Sequence, residues 1–117
     1  MTVMQALTTG GGLTLQRLEE AYRQGIFPWF SPGQPVLWWS PDPRMVLPVA
    51  QFKVSKSLGK TLRRFVRSPH CEVRIDSAFR QVITACAGTP REGQDGTWIV
   101  PEMVEAYVAW HKLGTVH

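Results

Sequence analysis

Phe27-Pro28-Trp29-Phe30-Ser31-Pro32-Gly33-Gln34-Pro35-Val36-Leu37-Trp38-Trp39-Ser40-Pro41-Asp42-Pro43-Arg44 holds five prolines and five aromatic residues in one segment. Prolines at this density rule out a helix, because each lacks a backbone N–H and clashes with the preceding turn. The aromatics add a large apolar area, so the segment is either a packed cover or the wall of a binding site. Within it, Val36–Trp39 is expected to be a short strand, with Met45–Val49 as another just beyond. Adjacent Trp38 and Trp39 face opposite ways on a strand, which places at least one of them in the core.

Residues on either side of this segment carry helix signals. Residues 1–12 end in Gly10-Gly11-Gly12 and are expected to form a loose lead-in. These glycines lack the lysine and the preceding strand of a phosphate loop, so nucleotide hydrolysis is not supported. Thr14 is placed to cap a helix on which Leu15, Leu18 and Tyr22 recur at helical spacing, and Gly25 suits the left-handed position behind it. A second helix is expected from Ser55 as N-cap to about Arg67. At ~100° per residue, Lys56, Lys60, Arg63, Arg64 and Arg67 share one side of it, and Leu58, Leu62, Phe65 and Val66 share the other.

Ser68-Pro69 ends that helix. Cys71, Val73 and Ile75 alternate with Glu72 and Arg74 as in a strand. Asp76 is expected to cap the next helix, with Phe79, Val82, Ile83 and Cys86 apolar and Gly88 as its stop. The segment Gly88–Gly96 is a polar loop, and Trp98-Ile99-Val100 leads into a last helix. There Pro101 takes the first position, Met103, Tyr107 and Trp110 face the core, and Gly114 closes it. Mixed strands and helices point to an α+β fold.

Composition narrows the function classes. With 44% hydrophobic and 19% charged residues, the 117-residue chain is globular, neither disordered nor membrane-embedded. No apolar run approaches the ~18 residues of a bilayer span, and no signal peptide is visible at the N-terminus. Cys71 and Cys86 do not make a disulfide framework and are expected to sit buried and reduced in a cytoplasmic protein. Neither they nor His70, His111 and His117 have metal-ligand spacing, so no metal is expected, and the three histidines read as surface or terminal residues without a catalytic role. The net charge of +4 is concentrated. Seven of the thirteen basic residues lie between Lys53 and Arg74, where Glu72 is the only acid, which favours a polyanionic partner such as nucleic acid.

The run from Ala21 to Gly33, with Gly25-Ile26-Phe27-Pro28-Trp29-Phe30-Ser31-Pro32 at its centre, resembles the signature of leucyl/phenylalanyl-tRNA–protein transferases. The resemblance continues through Leu37-Trp38-Trp39-Ser40-Pro41-Asp42-Pro43-Arg44, Ser55-Lys56-Ser57-Leu58 and Gly96-Thr97-Trp98-Ile99. Val104-Glu105-Ala106-Tyr107 and Leu113-Gly114 extend it, so it covers roughly Gly11 to the C-terminus. It implies an aminoacyltransferase that moves leucine or phenylalanine from charged tRNA to proteins with N-terminal lysine or arginine, marking them for degradation. It also implies a small N-terminal domain over 1–42, followed over 43–117 by the truncated beginning of a GNAT-like acyltransferase domain.

By the same likeness, Trp29 and Trp98 flank the 3′-terminal adenosine of the tRNA, with Tyr107 nearby and Tyr22 helping to position the substrate. Lys56, Lys60, Arg63, Arg64 and Arg67 resemble the surface that takes the acceptor arm, although extra residues around Gly59–Leu62 depart from the family pattern. Family members run to about twice this length. Their side-chain pocket and the motif that activates the acceptor amine fall in the half beyond His117, so catalytic residues are expected there and the chain is expected to be a fragment with little activity alone. No cofactor and no membrane partner is implied.

Without the resemblance, each of these residues has a plainer reading. Aromatics are mostly structural, so Trp29 and Trp98 are core candidates too, and Tyr22 and Tyr107 lie on the apolar stripes of their helices. The basic helix face alone is as often a solvated surface as a nucleic-acid site. A catalytically silent tRNA-binding module is therefore the alternative to the transferase. An acyl-CoA-dependent half-domain lacks its glycine-rich pyrophosphate loop here.

Overall fold

The structure, a computed structural model, describes residues 6–9, 12–93, 97 and 99–117. Trp98, expected beside the tRNA adenosine, lies outside the described residues, as do Gly10, Gly11 and the end of the Gly88–Gly96 loop. The chain divides into two compact units: Met1–Pro43 together with Asp76–His117, and Arg44–Ile75.

The first unit is built around α1 (Leu15–Arg23). The Thr14 hydroxyl oxygen accepts from the Arg17 N–H at 3.2 Å, satisfying one of the unpaired donors of the first turn. At the other end Gly25 takes φ 74°. That turn lets Ile26 N–H donate to the Ala21 carbonyl and Gly25 N–H to the Tyr22 carbonyl, closing the helix with both bonds of a Schellman motif. Ile26 then packs back on the cluster containing Leu18 and Ala21.

Segments on both sides of α1 form a three-stranded antiparallel sheet in the order β1-β3-β2, from Ala6–Thr9 (β1), Phe27–Pro28 (β2) and Leu37–Trp39 (β3). Phe27 and Pro28 oppose Trp39 and Trp38, while Ala6, Thr8 and Thr9 oppose Trp39, Trp38 and Leu37 across a bulge. The lead-in expected to be loose thus contributes an edge strand. Pro28 is tolerated because β2 is the other edge, where a missing N–H breaks no ladder. Between β2 and β3 the chain reverses at Ser31–Gln34, where Gln34 N–H donates to the Ser31 carbonyl at 3.1 Å. Pro32 with Gly33 at φ 80° supplies the residues that a type II turn requires.

The remaining helices of this unit are α3 (Phe79–Gly88) and α4 (Pro101–His111), which pack on each other, while α4 also packs on α1. Pro101 occupies the first turn of α4, where its missing donor costs nothing. Leu18, Ala21, Trp38 and Trp110 form one core cluster, and Phe30, Val100 and Met103 a second. Fully burying side chains of this size is worth roughly 1.5–3 kcal/mol each. Asp76 does not cap α3. It takes φ 63°, and the helix begins three residues later behind Ala78, with no side-chain cap. Its carboxylate instead lies 2.7 Å from His117 Nδ1 and 4.0 Å from His111 Nδ1. His111, expected at the surface, is half-buried and stacks on Phe79 at 4.3 Å between ring centres.

The second unit consists of a single turn of 3-10 helix at Val49–Gln51 and helix α2 (Lys56–Arg67), capped by the Ser55 hydroxyl accepting from Leu58 N–H at 3.1 Å. Neither strand expected here forms: among the described residues the sheet contains only β1, β3 and β2. A strand needs a partner edge, and no described residue supplies one to Met45–Val49 or to Cys71–Ile75, where Val73 and Ile75 stay 78% and 79% exposed. No residue of this unit is fully buried. The expected burial of the cysteines also fails: Cys71 in this unit and Cys86 on α3 are both free and exposed.

Candidate functional site

The hairpin that carries the prolines also holds a cleft. Because the pleat alternates, Trp38 turns into the core and is 2% exposed, which leaves Trp39 on the other face. There its indole Nε1 donates to the Trp29 carbonyl at 2.7 Å, and the two rings lie 6.3 Å apart at 54°. Trp29 itself remains 44% exposed. Trp29, Phe30, Ser31, Gln34, Leu37 and Trp39 line a cleft of about 420 Å³, large enough for a purine. Gln34 Oε1 accepts from Ser31 N–H at 3.3 Å, holding the turn at its rim.

Phe30 joins this cleft to the core, since the cluster it forms with Val100 and Met103 also packs against Tyr107. On α4, Tyr107 meets Tyr22 of α1: their hydroxyl oxygens are 2.5 Å apart. Trp110 meets Tyr22 edge-on at 5.2 Å, and its Nε1 donates to Glu19 Oε1 at 3.3 Å. Burial, reinforced by the Tyr22 hydroxyl, pushes the Tyr107 phenol well above its ordinary range. Tyr107 is thus a neutral hydrogen-bonding hydroxyl at any physiological pH, not a base. The structure therefore brings together Tyr22 and Tyr107, two residues far apart in sequence.

All five basic residues expected to take phosphate lie exposed on α2. Lys60, Arg63, Arg64 and Arg67, with Ser68, line a shallow groove of about 440 Å³, and Lys56 sits outside it near the N-terminus of the helix. Among the described residues none of the five forms an ion pair, unlike Arg74 with Glu72 or Arg80 with Glu105. Neighbours three and four apart on this face are all positive, and each such like-charge pair costs a few tenths of a kcal/mol, ~0.2–0.5. A polyanion in the groove would relieve that repulsion.

Of the cleft residues, sequence reasoning assigned a role only to Trp29 and left Trp39 among the unassigned. The signal was present, because one of two adjacent strand tryptophans must face away from the core. Glu19 and Gln34 carried no such signal. No group of three or more His, Cys, Asp or Glu converges to hold a metal among the described residues, and none of their helices is long and apolar enough to cross a membrane.

Comparison with known proteins identifies relatives over most of the chain. A family profile described as leucyl/phenylalanyl-tRNA protein transferase N-terminal domain matches residues 11–42, and one described as leucyl/phenylalanyl-tRNA protein transferase matches 46–117. Over 111 residues, 95% of this chain, the sequence is 69% identical to a leucyl/phenylalanyl-tRNA–protein transferase of Methylibium petroleiphilum, 67% to one of Leptothrix cholodnii and 58% to one of Paraburkholderia xenovorans. Those matches cover 42%, 43% and 45% of the relatives, so the chain spans less than half of their length. On both profiles and these identities, the chain belongs to the leucyl/phenylalanyl-tRNA–protein transferase family.

Proposed function

We propose that this chain supplies the tRNA-gripping part of an aminoacyltransferase that moves leucine or phenylalanine from charged tRNA to proteins with N-terminal lysine or arginine. The observation that carries the reading is the exposed Trp29 indole lining a cleft large enough for a purine, in a chain matched by both family profiles. In this reading the terminal adenosine stacks on Trp29, with Trp98 as its second wall, and Tyr22 and Tyr107 orient the ester beside it. Each stack contributes ~1–3 kcal/mol, by analogy with single-strand binders. Lys56, Lys60, Arg63, Arg64 and Arg67 hold acceptor-arm phosphates.

The chemistry is aminolysis of an ester that the tRNA already carries in activated form. The acceptor's neutral α-amine attacks the ester carbonyl, the amide C–N bond forms, and the C–O bond to the 3′-terminal ribose breaks. The proton lost by the amine leaves with the ribose hydroxyl, so neither ATP nor a cofactor is consumed. The protein's part is to position the ester, favour the neutral amine and stabilise the oxyanion. Product proteins are thereby marked for degradation, in the cytoplasm. Residues 1–42 are read as the small N-terminal domain and 43–117 as the start of a GNAT-like acyltransferase domain.

Because the chain spans less than half of its relatives' length, transfer by this chain alone is expected to be weak. The test is incubation with radiolabelled leucyl-tRNA and a lysine-initiated peptide, with tRNA binding measured in parallel. Salt-sensitive binding with little label in the peptide is the expected result. A chain that binds no tRNA at low salt would sink the proposal. The unpaired basic groove favours one alternative, a catalytically silent tRNA-binding module. Failure of transfer even after the portion of a relative outside the match is joined to the chain would support it.

A further inference from the structure

Pro28 and Phe30 are buried on either side of Trp29, so the pleat turns the Trp29 indole outward, where it stays 44% exposed. An indole so exposed ordinarily has several rotamers open to it, which swing it towards or away from the cleft. The strand that carries it is poorly placed to restrain it. β2 is two residues long, lies at the sheet edge and ends in Pro28, which has no N–H to give to β3. Beyond β2 two contacts take over. Trp29 N–H donates to the Leu37 carbonyl at 2.9 Å, and the Trp29 carbonyl accepts from Trp39 Nε1 at 2.7 Å. Trp39 is half-buried, with its ring 6.3 Å from that of Trp29 and tilted by 54°.

From this geometry we infer that Trp39 is a positioning residue. Its indole N–H clamps the Trp29 carbonyl, fixes the backbone there, and so holds the Trp29 indole open as a preformed wall for the stacked base. The inference rests on the reading of Trp29 as the adenosine stack and adds the residue that presents it. Both partners gain from the bond. A half-buried indole N–H needs an acceptor, and a carbonyl at the point where the chain leaves the ladder needs a donor. The turn that follows is locked as well, since Gln34 N–H donates to the Ser31 carbonyl and Gln34 Oε1 accepts from Ser31 N–H. Trp29 is thus held by Trp39 from the strand and followed at once by a closed turn. A wall fixed before the ligand arrives loses less freedom on binding, which raises affinity without a new ligand contact. Trp39→Phe keeps an aromatic ring at the cleft and removes only the donor.

Two measurements on the chain test this, and the first uses no ligand. With the indole nitrogens labelled for NMR, the Trp29 signal is identified by its loss in Trp29→Phe. Trp39→Phe should move that signal towards the position of free tryptophan; an unmoved signal would overturn the inference. The second compares binding of intact tRNA with tRNA trimmed of its terminal adenosine. Wild type should prefer intact tRNA by about tenfold, the worth of one stack. Trp39→Phe should lose most of that preference while binding trimmed tRNA as wild type does. On a Trp29→Ala background, Trp39→Phe should change nothing further, because the clamp acts only through the Trp29 indole. Additive losses would overturn the inference, as would a Trp39→Phe protein that keeps the full preference where Trp39→Ala loses it, since either assigns the effect to the Trp39 ring itself. A wild type indifferent to trimming would sink the adenosine reading instead, and the ligand-free signal would still decide the clamp.

Discussion

Tyr107 shows how one position converts burial into chemistry. Its hydroxyl is held neutral by desolvation and by Tyr22, so its pKa in the fold lies above that in the unfolded chain. A group raised in this way contributes stability that is fully present below its unfolded value of about 10 and lost as pH climbs towards the folded one. Denaturation followed between pH 8 and 12 should therefore show an alkaline loss of stability that Tyr107→Phe flattens; an identical profile in the variant would refute the assignment. Trp29 carries the functional counterpart. Trp29→Ala, made at the matching position of a full-length relative, should lower kcat/KM by about tenfold or more, the worth of one lost base stack. An unchanged value would remove Trp29 from the site. Both tyrosines stood on the apolar stripes of their helices, which made core packing their default reading. Their shared hydrogen bond was not legible, because it joins helices whose approach depends on the whole unit.

Helix α2 offers two tests of opposite sign on one element. Ser55→Ala removes the only side-chain cap of the helix and should cost about 1 kcal/mol of helix stability. Gly59→Ala should gain about 0.5–1 kcal/mol, because an added methyl would meet only the flexible end of Arg63 at 3.4 Å and Val54 at 3.7 Å. Circular dichroism melts of the two variants should move in opposite directions. Between α3 and α4, Arg80 donates to both oxygens of Glu105, at 2.6 and 3.0 Å. This bond, with the nearby positive charge, holds the Glu105 carboxyl below the usual range. Its small stabilising effect should be present at neutral pH and disappear as acid protonates Glu105, so wild type and Glu105→Gln should converge at low pH. Caps at Thr14 and Ser55, the glycine stop at Gly25 and the proline start at Pro101 were all readable, because each acts within one turn of its own helix. Strands at Met45–Val49 and Cys71–Ile75 were misjudged, because alternation records a capacity to pair while pairing needs an edge from elsewhere.

Taken whole, the molecule divides its hydrophobicity unevenly. Unit Met1–Pro43 with Asp76–His117 closes two core clusters around Leu18 and Met103, whereas Arg44–Ile75 buries no side chain completely. The α+β class and the separation of basic from apolar sides on α2 were legible in the spacing of residues. The extent of burial was not, because burial depends on what is present to cover a surface. The cysteines make the point, and they carry a practical result. Cys71 and Cys86 stand free and exposed, one on each unit. Two accessible thiols per chain make it a divalent monomer for oxidative polymerisation. In air without reductant, a non-reducing gel should show a ladder of covalent oligomers extending beyond dimer. Replacing either cysteine with serine lowers the valence to one and should stop the ladder at the dimer.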